Sequence, residues 1–272
     1  MAVYESGPAG GLSDPLSFAF GPAISAGGLV NGATLSPSAT LAPGTIATIF
    51  GTQLAPEHAS ATVPYPTILG GVSVSVDGIA APLLFVSPGQ INFVVPWEVA
   101  TQSQANVVVN ANGLASNSVS VSVTSTAPGI FTVNAAGQGA VLIAGTSSLA
   151  APEGAFPGSR PVNRGESIEI FATGLGAVSN QPPDGQPPSG LATTLQNVAA
   201  AVGCTGANGA GMCDVTAFGG SIEFSGLASG FIGLYQVNIQ LPAGAMSGPA
   251  IALRLSIGEQ VSNTVTIAVD AP

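Results

Sequence analysis

No lysine occurs anywhere in the 272 residues, and arginine stands at only three positions, Arg160, Arg164 and Arg254. Thirteen acidic residues oppose them, giving a formal net charge of −10. A nucleic-acid backbone is held by several Lys or Arg contacts to phosphate, so this distribution excludes nucleic acid as a partner. It disfavours an anionic membrane surface for the same reason. Schiff-base and Ser-Lys mechanisms are also excluded, since both need a lysine. Charged residues of both signs make up 6% of the chain, against about 25% in an ordinary soluble protein. The surface must therefore be built from Ser, Thr, Asn, Gln, Gly and Ala.

Histidine is confined to His58, in the loop LAPEHASATVPYP. A hydrolase triad would need it beside a nucleophile and an orienting acid, and no G-x-S-x-G elbow is present. Its neighbour Glu57 is too close in sequence to orient the ring, so His58 reads as a solvated loop residue. A carboxylate pair could act without histidine. Glu166 and Glu169 share one strand, however, and point to opposite faces; a pairing of loop acids such as Asp77 with Asp214 stays open, with nothing in the sequence to support it. No D-x-D-x-D-G run marks a calcium loop, and Asp77-Gly78 and Asp184-Gly185 are turn dipeptides first. The expectation is an absence of catalytic residues, metal and cofactor.

Long apolar runs are missing too. None reaches the ~18 to 20 residues of a membrane span, and MAVYESGPAGGLSDPLSFAF lacks the basic start and apolar stretch of a signal peptide, so the chain reads as a mature piece or a fragment. Cysteine occurs twice, as Cys204 and Cys213 within CTGANGAGMC. Two thiolates without further ligands make a poor zinc site. A local disulfide in an oxidising compartment fits the spacing, and closing such a loop contributes roughly 2 to 3 kcal/mol in the chain-entropy model.

What is present is apolar and repeated. Hydrophobic residues form 46% of the chain, with 37 Gly and 22 Pro, enough for two domains with their own cores. QINFVVP at 90–96 returns as QVNIQLP at 236–242. GTIATIFGTQL at 44–54 matches GESIEIFATGL at 165–175, LGGVSVSV at 69–76 matches LQNVAAAV at 195–202, and SNSVSVSV matches SNTVTIAV, all in one order. The offset changes only in Gly-, Pro- and polar-rich stretches, where insertions are tolerated. This is the pattern of a duplicated domain.

The repeated blocks alternate like strands. Ile91, Phe93 and Val95 share one phase against Gln90, Asn92 and Val94, as do Val237, Ile239 and Leu241 against Gln236, Asn238 and Gln240. Pro96 and Pro242 end each strand. Short alternating strands and frequent turn signals, without an amphipathic helix of three turns, predict an all-β chain of two tandem Ig-like antiparallel β-sandwich domains arising from an internal duplication. Residues 1–27 are expected as a leader or docking strand, 28–127 as the first sandwich, and 128–272 as the second. The stretch Thr132 to Pro161 should connect them and supply the second sandwich's opening strand.

APGTIATIFGTQLA, LGGVSVSVDGIAAPLLFVSPGQINFVVP, APGIF, FATGLG and GLASGFIGLYQVNIQLP followed by VSNTVTIAV resemble the uncharacterised domain at the C-termini of many secreted acidobacterial (Solibacter-type) proteins, over roughly residues 28 to 270. Each half is also similar in pattern to immunoglobulin-like TIG domains. The resemblance implies an extracellular or cell-surface, all-β tandem module appended to other secreted parts, with no catalytic residues to carry over.

Several residues have both a functional and a structural reading. Trp97 and Tyr65 could stack on sugar rings as in a carbohydrate-binding module, although a chain with 6% aromatics needs them in cores and interfaces. QPPDGQPPSG at 181–190 favours polyproline II and reads as a rigid surface loop or docking segment. Gln90, Asn92 and Asn117, with Gln236, Asn238 and Asn263, occur in both copies and are expected to be structural. The function expected is a non-catalytic extracellular structural, adhesive or assembly module. Its partners would be further copies meeting as an oligomer or filament through edge strands that lack blocking lysines, with a leader strand donated between copies. A polysaccharide-binding accessory module is the alternative, and a hydrolase with loop carboxylates a third reading.

Overall fold

A computed structural model describes residues 21–37, 40–206 and 209–270; most of the expected leader, residues 1–20, lies outside them. The first half contains β1 (Ala23–Asn31), β2 (Ile46–Thr52), β3 (Ala59–Ser60), β4 (Val72–Val76), β5 (Ile79–Ala81), β6 (Leu83–Val86), β7 (Gln90–Val94), a 3₁₀ turn at Trp97–Thr101, β8 (Gln104–Ala111), β9 (Leu114–Ala115) and β10 (Val119–Ser122). The second contains β11 (Gly129–Ile130), β12 (Val141–Ile143), β13 (Ser167–Thr173), β14 (Val198–Gly206), β15 (Gly209–Asp214), β16 (Ser221–Leu227), β17 (Tyr235–Gln240), β18 (Gly248–Ile257), β19 (Gln260–Val261) and β20 (Val265–Val269). The chain is all-β, as its alternation implies.

Four antiparallel sheets result, two per half. In the first half a sheet ordered β1-β2-β7-β6-β3 faces one ordered β10-β8-β4-β5, an order compatible with an immunoglobulin-like sandwich. The second half pairs β11-β13-β17-β16 with β15-β14-β18-β19, with β20 also on β18. The registers agree position by position. Ile46 lies opposite Val94 and Phe50 opposite Gln90; at the matching places Ser167 lies opposite Gln240 and Phe171 opposite Gln236. Val72 pairs with Ala111 as Val198 pairs with Ile257. A register irregularity between Leu83 and Phe85 recurs between Ile222 and Phe224.

Alternation fills the space between facing sheets. Ile49, Val74, Ile91, Phe93 and Val107 belong to one buried cluster, and Ile168, Val202, Val237, Ile239 and Leu253 to another. Transfer of each such side chain from water is worth about 1.5 to 3 kcal/mol. The boundary expected between residues 27 and 28 falls inside β1. β1 runs through residue 28 and already pairs with β2 at Ala23 and Ile24, so residues 23–27 belong to the first sheet. The Gly27-Gly28 pair lies in a register shift between Ile24 and Leu29.

The outer strands are covered by backbone. Residues 192–194 bond to β16 through Leu227 N–H to Ala192 and Thr194 N–H to Ser225. β20 is flanked by parallel bridges from Gln138 and Val162, and β10 by one from Leu41 at Val123. β12 is met by Ser148 and Ala150. Local chain thus shields several edges where lysine is lacking, leaving β1, β5 and β15 as outermost strands without such backbone cover among the described residues.

Candidate functional site at the junction of the sandwiches

The places where the two copies depart from each other mark where they touch. Val94 is buried although it lies in the outward phase of β7, whereas its counterpart Gln240 is partly exposed. Ile46 corresponds to Ser167, Trp97 to Ala243 and Glu98 to Gly244. A Cβ built on Gly233 of the second sandwich would lie 2.8 Å from Ile46 Cγ1 and 3.2 Å from Val94 Cγ2. At 46 and 94 apolar side chains replace polar ones, and at 97 and 98 large side chains replace small ones, at the end of the first sandwich that receives the second.

Glycines of the second sandwich have the same explanation. A Cβ on Gly174 would run into the Ala127 carbonyl oxygen, and one on Gly176 into that of Ser125. Gly174 has φ 76° and its counterpart Gln53 has φ 53°; Gly258 has φ 58° and its counterpart Asn112 has φ 51°. The first sandwich thus tolerates side chains in this left-handed conformation, so close approach of the connecting segment 125–127 is what requires glycine at 174.

Hydrogen bonds lock the contact. Thr173 Oγ1 accepts from Ile46 N–H at 2.8 Å and donates to the Gly233 carbonyl at 2.8 Å. Asn31 Nδ2 donates to the Ala127 carbonyl, Ala127 N–H to the Gly174 carbonyl, and Thr126 Oγ1 to the Ile257 carbonyl. Tyr235 is fully buried and its hydroxyl donates to the Gly176 carbonyl; burial pushes its pKa well above the ordinary tyrosine value. A polar groove of about 380 Å³ runs along the seam, lined by Asn31, Thr34, Thr40, Gln260 and neighbours.

Trp97 and Tyr65, the candidate sugar-stacking residues, both lie here and are half-buried. Trp97 packs against the core cluster of the second sandwich, and a Cβ on Gly44 would strike its six-membered ring. The Trp97 backbone N–H donates to Asp184 Oδ1 at 3.2 Å, and the Tyr65 backbone N–H donates to the Gly185 carbonyl at 2.9 Å. The 181–190 loop is therefore seated on the first sandwich. Burial, with the Glu98 carboxyl in hydrogen-bonding reach, pushes Asp184 up to about 7. Burial also raises Tyr65 above its usual value.

The repeated polar residues act within each sandwich. Gln90 Nε2 donates to Asn92 Oδ1 at 2.8 Å, and Gln236 Nε2 to Asn238 Oδ1 at 2.8 Å. Asn117 Oδ1 accepts from Ile24 N–H and its Nδ2 donates to the Ile24 carbonyl. Asn263 repeats both bonds on Ile130. Each asparagine thus pins the first strand of one sheet to the start of the last strand of the other. Ser116 and Ser262 support them, each accepting a backbone N–H and donating to the asparagine's own carbonyl.

Cys204 and Cys213 form a disulfide across the β14–β15 hairpin, with Cα atoms 5.8 Å apart. Glu166 takes two bonds from Arg160, each 2.9 Å; that guanidinium holds the carboxylate down at about 2. His58 lies on an exposed loop with its ring 6.0 Å from Phe85. No group of three or more His, Cys, Asp or Glu side chains suited to a metal occurs among the described residues. No helix among them is long and apolar enough to cross a membrane.

No family model matches the chain, and no curated protein does. Among solved structures, domains 5–6 of the S-layer protein SbsC align with 92% of this chain and 100% of that one, at 10% identity and a TM-score of 0.23.

Sequence reasoning missed Asp184, Glu98, Gly44, Gly174 and Gly233 as junction residues. The available signal was the mismatch between the copies: tryptophan against alanine at 97 and 243, and glycine against glutamine at 174 and 53.

Proposed function

We propose that the chain is a non-catalytic structural module of the cell exterior, in which two sandwiches are clamped end to end as one stiff segment. The clamped junction carries this reading: apolar residues, close-approach glycines and the Thr173 bridge suit a fixed spacing between whatever the two ends hold. The disulfide favours an oxidising compartment, and the neutral polar surface suits a protein outside the cytoplasm. Trp97 and Tyr65 spend their contacts on the junction, which weakens a polysaccharide reading based on them. Self-association is a second reading, through the edges of β1, β5 and β15 that local backbone leaves uncovered among the described residues.

Small-angle scattering over a concentration series tests both readings. A single two-lobed particle of fixed maximum dimension supports the stiff segment. A profile that requires a mixture of bent and extended forms removes it, and particle mass that grows with concentration favours assembly through the open edges.

A further inference from the structure

Three features that set the second sandwich apart from the first meet around Arg164. That residue stands where the first copy has Pro43, on a turn whose backbone is the same in both. Gly44 N–H donates to the Val95 carbonyl and Gly165 N–H to the Leu241 carbonyl, each at 2.8 Å. In the first copy Trp97 lies across this turn, so that a Cβ on Gly44 would strike its ring; a Cβ on Gly165 meets nothing within 4 Å, and Ala243 stands in place of the tryptophan. The third feature is the β14–β15 hairpin, whose disulfide has no counterpart in the first copy. It is joined to the 243–247 turn by a bridge between Cys204 and Ala245 and by a bond from Met246 N–H to the Gly203 carbonyl at 2.9 Å. Together these elements enclose a cavity of about 270 Å³, lined by Arg164, Thr205, Ser247 and the turn 243–246.

The chain has thirteen acids for three arginines, yet Arg164 is not paired with one. Arg160 is bound to Glu166, whereas Arg164 is half-buried and its buried Nε has no hydrogen-bond partner among the described residues. Buried donors are satisfied as a rule, so an orphaned one calls for an acceptor. A guanidinium presents a planar fork of donors that matches a carboxylate. We propose that this cavity is a binding site for a small hydroxy-carboxylate of the kind a sugar acid presents, with its carboxylate on Arg164 and its hydroxyl groups against Thr205 and Ser247. One guanidinium balances one negative charge, and a net charge of −10 opposes a dianion such as phosphate. Size agrees, since pockets for drug-sized ligands span roughly 300 to 1,000 Å³ and this one takes a single small residue. The disulfide then acts at the site as well, by stiffening the hairpin that forms one wall. The proposal goes beyond the structural reading, which rests on the junction and does not depend on it.

Arginine Nε–H resonances report the site directly, because three arginines give three signals. Titration of the intact chain with sodium glucuronate at constant ionic strength should move the Arg164 signal along a saturating curve while the Arg254 signal stays fixed. Acetate should need about tenfold more for half-saturation, for want of the hydroxyl contacts. Arg164→Gln should abolish the saturable response, read at the Ser247 backbone amide. Ser247 is exposed, so Ser247→Ala leaves the fold intact and should weaken binding about three- to tenfold. An Arg164 signal that does not move, or that drifts linearly in step with Arg254, overturns the site. So does an equal response to glucose, which lacks the carboxylate, or tighter binding of inorganic phosphate. Acetate binding as tightly as glucuronate overturns the hydroxy-acid assignment.

Discussion

Replacing Gly174 with alanine should destabilise the protein by about 2 to 5 kcal/mol, combining overpacking with the left-handed backbone. The new methyl would meet the Ala127 carbonyl oxygen. That oxygen cannot retreat easily, since it accepts from Asn31 Nδ2 while the Ala127 N–H donates to the Gly174 carbonyl. Gly165→Ala is the control: its φ is 85° and a Cβ there meets nothing within 4 Å, so about 1 to 2 kcal/mol is expected from the backbone alone. Denaturant unfolding of both variants checks the difference. Equal losses would mean that the contact at Gly174 does not demand glycine.

The second large effect concerns the asparagines that tie facing sheets together. Asn263→Ala removes both bonds to Ile130, which is fully buried, and leaves a buried N–H and carbonyl unsatisfied at a cost of about 2 to 3 kcal/mol. For a chain of this size that is roughly 5 to 10 °C in Tm. Asn117→Ala should cost somewhat less, because Ile24 is 5% exposed and water reaches the vacated groups more readily. The two losses should add, since each asparagine serves its own sandwich. Thermal unfolding of the single and double variants measures this, and a neutral Asn263→Ala would show that the pin is ornamental.

Legibility followed distance along the chain. The strands were readable because Ile91, Phe93 and Val95 announce a buried face within seven residues, and the second copy says the same with Val237, Ile239 and Leu241. That Asn117 and Asn263 are equivalent was also readable, because both head the last strand of a repeated block. Their partners were not, since Ile24 and Ile130 lie 93 and 133 residues away. The boundary expected between residues 27 and 28 falls inside β1, because the strand that residues 23 and 24 pair with lies out of view further along the chain. The junction was hidden most deeply. Trp97 owes its position to a glycine at 44 and to the core of the other sandwich, and its backbone bond to Asp184 joins two segments that no local pattern connects. Only comparing the copies against each other would have exposed it.

Differential scanning calorimetry of the intact chain tests the central claim most directly. If the junction clamps the sandwiches into one unit, a single transition should appear with equal calorimetric and van't Hoff enthalpies, and Gly174→Ala should split or broaden it. Two resolved transitions in the unaltered chain, or a van't Hoff enthalpy near half the calorimetric value, would show two sandwiches that unfold independently and would contradict the account.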